Sequence, residues 1–275
     1  MTDCHWPHRP VFVKLGGVYK TTPPLPIDTD ARFERHRVDP RRTDLHPHLA
    51  SALRERGLAT FSEMPSRPAF ADLVRDLAVL YPHPDSGSDG LTLLHARDGS
   101  PGAGQLGFTD SELLPHTERS CLPRPPHLLM LMCLTPAHHG GESILIDGRA
   151  MAKELSLSAP ETWSALSAPR SAYFGGSSGY VGAVFEPAAP ETWTIRLRLD
   201  ELIRFAPRTV RHVEILREVM DRHTMVLRLG KGQGFILDNT RWLHGRRSFA
   251  GPRVMLRALG ERHTRLPLER GFRLP

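Results

Sequence analysis

From residue 127 onward the chain is written in short apolar or alternating runs: "HLLMLMCL", "ESILID", "WTIRLRLD", "TMVLRL", "GFILDN" and "RVMLRAL", each closed by turn residues. Runs this short, with side chains recurring every second position, bury a face as strands and not as helices, whose faces recur every 3.6 residues. They predict a β-sandwich or barrel. In "WTIRLRLD" the alternation sets Ile195, Leu197 and Leu199 on one face and Arg196 and Arg198 on the other. Between these runs, "PRTVRHVEILREVM" (207–220) reads as one amphipathic helix, and "GKGQG" (230–234) as a hairpin turn, since no helix follows it to make a phosphate-binding loop.

The earlier part of the chain follows a different pattern. Residues 1–44, with "TTPPLPID" among them, read as an irregular arm, and 45–81 as a helical region. "LHPHLASALRERGL" has helical spacing and a stop at Gly57, while "RPAFADLVRDLAVLY" carries Phe70, Leu73, Leu77 and Leu80 on one stripe. Residues 82–107 are rich in Gly, Ser and Pro, with one strand-like "LTLLHA". Long irregular stretches inside a compact fold serve function, so this one is expected to be lid material, as is "FGGSSGY" unless that is a wide turn between strands.

The 275 residues suit one large domain, 1–275. No run of about 18 apolar residues is present to span a membrane. The start, "MTDCHWPHRP", lacks the order of a signal peptide, and three cysteines without a CxxC step fit a reducing compartment; a cytoplasmic location is expected. Cys121 and Cys133, at or within apolar runs, read as core residues. The net charge of +6 raises the question of nucleic acid, but the arginines that carry it are scattered, without an aromatic-laced stripe or a reading motif. The excess fits carboxylated small molecules better, and neither a nucleic-acid nor a membrane partner is expected.

One short step offers chemistry. In "LLPHTERSCL", His116 and Glu118 stand two apart, so on a strand an imidazole and a carboxylate share a face. Alone, such a step is commonly a solvated pair. A third ligand is available in His244 of "FILDNTRWLHGRRSF", which a returning sheet could bring alongside. Two imidazoles and a carboxylate on one face of an ion form the arrangement of non-haem Fe(II) oxygenases, with positions left open for cosubstrate and O₂. Arg253 and Arg257 in "PRVMLRALG" share a strand face, and an inward arginine demands an anion.

Together, "LPHTERSCLPRPP", "GGESILIDG" and "DNTRWLHGRRSF…RVMLR", in this order, resemble the Fe(II)- and 2-oxoglutarate-dependent dioxygenases of the taurine dioxygenase and clavaminate synthase group over roughly residues 105–260. The resemblance implies a mainly β double-stranded β-helix, or jelly-roll, with helical insertions and its core at 105–260. It implies His116, Glu118 and His244 as iron ligands and Arg253 as the clamp on the distal carboxylate of 2-oxoglutarate. Ser143 would assist that clamp, and Arg257 would serve the inner carboxylate or an anionic substrate group. Glutamate in place of the more common aspartate is similar to the clavaminate synthase branch and argues against a halogenase. The spacing from His244 to Arg253 is compact, so the parts of Arg253 and Arg257 could be exchanged.

By the same resemblance, the chain is expected to be an enzyme that uses Fe(II), 2-oxoglutarate and O₂ to hydroxylate an unactivated C–H of a small amino-acid-like or anionic metabolite in specialised metabolism, such as antibiotic biosynthesis. Desaturation, epoxidation and cyclisation are open to the same chemistry. A non-catalytic jelly-roll that binds a ligand or a structural Zn(II) is the alternative of another class.

Overall fold

The computed structural model describes residues 12–13, 29–81, 83–98, 102, 104–176 and 178–274. "TTPPLPID" and Cys4 lie outside them. Two antiparallel sheets face each other. The larger runs Leu58–Phe61, Gly234–Asp238, Leu128–Thr135, Val254–Arg262, Ala78–Leu80, with Thr92–Leu94 also paired to Val254–Arg262. The smaller runs Thr224–Leu227, Ser143–Asp147, Trp242–Arg246, Leu113–His116. From residue 113 the chain passes repeatedly from one sheet to the other, which is how a double-stranded β-helix winds. The expected fold class is the one found.

Alternation along each strand divides the apolar residues among three cores. Leu129, Leu131, Leu145, Phe235, Met255 and Leu259 meet between the sheets. Met130, Met132 and Leu256, on the far face of the larger sheet, pack with Leu49, Leu53, Phe70 and Val74 of helices Leu45–Arg56 and Arg67–Leu77. Ile146 and Leu243, on the far face of the smaller sheet, pack with Met151, Leu155, Leu216 and Met220 of helices Gly148–Ser158 and Val213–Arg222. Each fully buried leucine contributes about 1.5–3 kcal/mol. Helices therefore cover the outer faces of both sheets.

Several local expectations change. Helix Leu45–Arg56 does stop at Gly57, whose φ of 67° is left-handed. Within the stretch expected to be irregular, Thr29–Arg35 is helical. The second helix ends at Leu77, because Ala78–Leu80 is drawn into pairing with Gly260–Arg262; Leu80 thus leaves the helical stripe. "PRTVRHVEILREVM" is two helices, Pro207–Val210 and Val213–Arg222, broken where His212 Nδ1 meets the Thr162 hydroxyl at 3.0 Å. "GKGQG" is no hairpin, since the strands it joins, Thr224–Leu227 and Gly234–Asp238, belong to different sheets. "FGGSSGY" joins the paired strands Ala172–Phe174 and Tyr180–Gly182, as a turn would. In "WTIRLRLD" the strand is Thr192–Ile195, and Leu197 and Leu199 join Ile195 in one core as expected. Arg196, however, is buried: it lies 3.9 Å from the Tyr180 ring and donates to the carbonyls of Ser120 and Leu122 at 2.6 Å each. Among the described residues, no helix is long and apolar enough to cross a membrane.

A charged group closes the end of the larger sheet. His127 is fully buried, with Nε2 3.7 Å from Asp238 and Nδ1 3.7 Å from Glu261. Burial opposes its charge, but the two carboxylates outweigh burial and raise its pKa. Glu261, also bonded to Arg270, is held down at about 2: burial opposes ionisation, and His127 and Arg270 prevail. A raised histidine stabilises fully below its unfolded value near 6.5 and loses that contribution as pH climbs through its folded value. Glu261 stays ionised across that window. The stability advantage of the wild type over His127→Gln, read from urea midpoints, should therefore shrink from pH 6 to pH 9; an advantage that grows with pH would refute the assignment.

Candidate active site

Strand register builds the site. Trp242–Arg246 lies between two partners, and His244 is opposite Leu145 on one side and His116 on the other. Leu145 belongs to the core between the sheets, so both imidazoles face that space. Gly245 permits the approach. A Cβ there would stand 2.6 Å from the Leu113 carbonyl oxygen and 2.9 Å from Pro115 N, so any side chain would push the Leu113–His116 strand away. His116 ends that strand, and Thr117 is held by Leu197: its N–H donates to the Leu197 carbonyl at 2.8 Å. Glu118 then turns back onto the face of His116.

Asn239 fixes that turn. Its Oδ1 accepts from Glu118 N–H at 2.7 Å, and its Nδ2 donates to the carbonyls of Glu118 at 3.1 Å and Pro126 at 2.9 Å. The result is a tight cluster. The imidazole rings are 4.4 Å apart, Glu118 Oε2 lies 3.5 Å from His244 Nε2 and 3.9 Å from His116 Nε2, and one donor atom from each residue falls within 4.8 Å of the others.

Ligation demands a neutral imidazole and an ionised carboxylate, and His116 and Glu118 are held in those states. His116 is pushed down to about 4 by burial and by His244 beside it. Its Nδ1 is bonded to the Leu114 carbonyl at 2.9 Å, so this nitrogen carries the proton and Nε2 is left as a donor toward the cluster. Burial disfavours charge on Glu118, yet Arg257 and the two histidines outweigh it and hold the carboxyl well below its ordinary range. The donor set therefore fits a divalent transition metal.

Three of the sequence candidates thus come together, and Arg257 joins them: Nη1 donates to Glu118 Oε2 at 3.0 Å, and Nη2 meets His83 Nε2 at 3.1 Å. His83 is lowered by burial and then by Arg257, with Arg119 adding to the effect. Arg253 is not in this cluster. Four residues along, roughly 13 Å of strand, its side chain lies over Gly141 and 5.6 Å from the Phe249 ring centre. Burial lowers its pKa to about 10. Arg246 is lowered likewise, by burial and then by Arg253, and it donates to the carbonyls of Thr109 at 2.8 Å and Leu106 at 3.3 Å. Neither arginine forms an ion pair with a described acid. Ser143 is buried directly opposite Arg246 in the register. A buried guanidinium and a half-buried one beside it, neither with a carboxylate, call for an anion from outside.

Beside the triad a cavity of about 270 Å³ is lined by His116, Glu118 and Arg257 together with His83, Asp85, Gln105, Phe108, Arg119, Arg198 and Asp200. Described residues of the 82–107 stretch, among them His83, Asp85 and Gln105, thus wall the site. The Cys133 thiol is pushed up to about 11 by burial, which suits a core residue. Asn239, Arg246, Arg119 and Arg198 escaped sequence reading. Asn239 and Arg246 do stand within "DNTRWLHGRRSF", but neither carries a metal-ligand spacing.

The family model for "Taurine catabolism dioxygenase TauD, TfdA family" matches residues 20–259. The chain belongs to this family. Its enzyme class is the expected one, an iron- and 2-oxoglutarate-dependent dioxygenase. Among solved structures, this TauD/TfdA-family chain resembles an asparagine oxygenase in complex with Fe(II), 2S,3S-3-hydroxyasparagine and succinate (TM-score 0.59, 16% identity, 78% of each chain). It also resembles the non-heme iron oxygenase OrfP in complex with Fe and alpha-ketoglutaric acid (TM-score 0.59, 17% identity, 79% of this chain and 80% of that one). A third is PvcB, an Fe, alpha-ketoglutarate dependent oxygenase from an isonitrile synthetic pathway (TM-score 0.60, 18% identity, 81% and 84%). These likenesses establish the shared fold.

Two substitutions test the construction of the site. Asn239→Ala strands two buried main-chain carbonyls and one N–H, at about 1 kcal/mol or more for each lost hydrogen bond, and should weaken Fe(II) binding at least tenfold in anaerobic titration. Gly245→Ala should do the same while leaving the far-UV circular dichroism close to native. Unchanged iron affinity in both would mean that neither residue positions the triad.

Proposed function

We propose that His116, Glu118 and His244 hold Fe(II), that Arg253 with Ser143 takes the distal carboxylate of 2-oxoglutarate, and that Arg257 serves the anionic end nearer the metal. The observation that carries this reading is the convergence of the three donors, with two acid-free guanidiniums, buried Arg246 and half-buried Arg253, further along the strands that carry His244 and Arg257. When bound, iron with 2-oxoglutarate and O₂ supplies oxidation of an unactivated C–H, with 2-oxoglutarate leaving as succinate and CO₂.

The protein's part is positioning. Glu118 is kept ionised and aimed by Arg257, His116 is held in one tautomer by the Leu114 carbonyl, and the Arg246–Arg253 pair provides charge for a dicarboxylate. The wall formed by His83, Asp85 and Gln105 restricts water at the metal end.

A cavity of about 270 Å³ suits a small metabolite, below the range of drug-sized pockets. The hydroxylated amino acids in the complexes of the asparagine oxygenase and of OrfP support an amino-acid-like substrate. PvcB's place in an isonitrile pathway supports specialised metabolism. A cytoplasmic location accords with Cys121 and Cys133 standing as thiols outside any disulfide.

Anaerobic Fe(II) and 2-oxoglutarate should give a visible charge-transfer band, and His116→Ala or His244→Ala should abolish both the band and succinate release. Arg253→Ala should raise the half-saturating 2-oxoglutarate concentration at least tenfold, more than Arg257→Ala does. The reverse order would exchange their roles, and normal turnover in either histidine variant would remove the triad assignment. Mass spectrometry of products from a substrate screen separates hydroxylation from desaturation, epoxidation and cyclisation.

A further inference from the structure

The cavity wall has an unequal charge balance. Of its three arginines, Arg257 is bonded to Glu118 and His83, and Arg198 is bonded to Asp200 with Nε at 2.6 Å from the carboxylate. Asp85, the remaining acid of the wall, is bonded to Arg97 at 2.9 Å. Arg119 is left over. Among the described residues it has no side-chain hydrogen bond or ion pair, and its Nε is buried without a partner.

Its backbone makes the position more telling. Arg119 has a φ of 56°, the left-handed region that residues other than glycine and asparagine seldom enter. It directly follows Glu118, so this conformation sets the direction in which the side chain leaves the metal-binding turn. A long charged residue at such a site is unfavourable for the fold alone, where Gly or Asn would serve better. Local strain held at a site of chemistry is commonly tied to function.

We propose that Arg119 binds a side-chain anion of an amino-acid-like substrate, a carboxylate or phosphate beyond its α-carboxylate, held beside the triad. The assignment rests on the iron and 2-oxoglutarate reading above for the reaction, but not for the binding event. A planar guanidinium with free donors pairs with a carboxylate or phosphate through two parallel hydrogen bonds. Because Arg257 and Arg198 are already engaged by acids of the protein, the surplus positive charge of the wall is Arg119's.

Calorimetric titration tests this with pairs that differ by one negative charge or more: L-aspartate and L-asparagine, L-glutamate and L-glutamine, O-phospho-L-serine and L-serine. Each is titrated into the protein loaded anaerobically with Fe(II) and 2-oxoglutarate, and into the protein without them. In at least one pair the acid should bind tenfold or more tightly than its neutral partner. Arg119→Asn should erase that preference, and Arg119→Lys should keep part of it. A preference confined to the phosphoserine pair supports the site and makes its ligand a phosphate.

Thermal unfolding serves as the control. Asparagine tolerates the left-handed backbone, so Arg119→Asn should melt no lower than wild type, and its loss of binding then cannot be ascribed to misfolding. The proposal is overturned if no pair shows a charge preference, or if the preference survives in Arg119→Asn. Absence of the visible band would count against the iron reading instead, since the titrations without metal report on Arg119 by themselves.

Discussion

The pairing of His244 with both Leu145 and His116 is the contact on which this molecule's chemistry depends. Side chains on a strand alternate, so a slip of one residue in Trp242–Arg246 would send His244 to the outer face and bring Leu243 inward. The apolar neighbours resist that slip. Trp242 is buried in the core between the sheets and Leu243 in the core outside, and each would have to enter the wrong layer. Three further hydrogen bonds pin the start of the strand: Arg241 donates twice to Asp147, at 2.6 and 2.8 Å, and Trp242 Nε1 donates to the Arg56 carbonyl at 2.9 Å. The face that carries His116 and His244 is thus set by hydrophobic sorting, and the polar groups inherit it.

Arginine dominates the interior electrostatics. Each buried guanidinium solves the cost of its charge in its own way: Arg196 with carbonyl oxygens and the Tyr180 ring, Arg241 with Asp147, Arg257 with Glu118. Arg246 has carbonyls and the Phe249 ring but no acid, and Arg253 has that ring but neither a described acid nor a described hydrogen-bond partner; burial moves both downward. A fold that stabilises most of its buried charges internally, yet leaves two side by side, concentrates its demand for an anion in one place. That demand is a dicarboxylate's opportunity.

Much of this was legible in the sequence, for identifiable reasons. Strands buried by alternating or continuous apolar runs announced themselves, because their pattern is a direct consequence of burial on a sheet. The triad was legible through the H-x-E step and a distant histidine, since ligand chemistry restricts residue type so narrowly. The features that were not legible depend on tertiary pairing. Nothing local tells Ala78–Leu80 to leave its helix; the free edge of Gly260–Arg262 does. Nothing local shows that "GKGQG" crosses between sheets, that Arg196 turns inward, or that Asn239 reaches back over a hundred residues to hold Glu118. Arg119 reads as one more surface arginine until its backbone angle and its missing partner are known.

Arg257 joins two levels of the site that would otherwise be independent. One nitrogen holds the Glu118 oxygen that also faces both histidines, and another meets His83, a residue of the wall over the cavity. A ligand that draws on Arg257 in the cavity must therefore compete with Glu118 or His83 for the same five donors. Competition for Glu118 would free a carboxylate that faces both imidazoles, and competition for His83 would free the wall from the strand beneath it. Cavity wall and triad thus share one planar side chain.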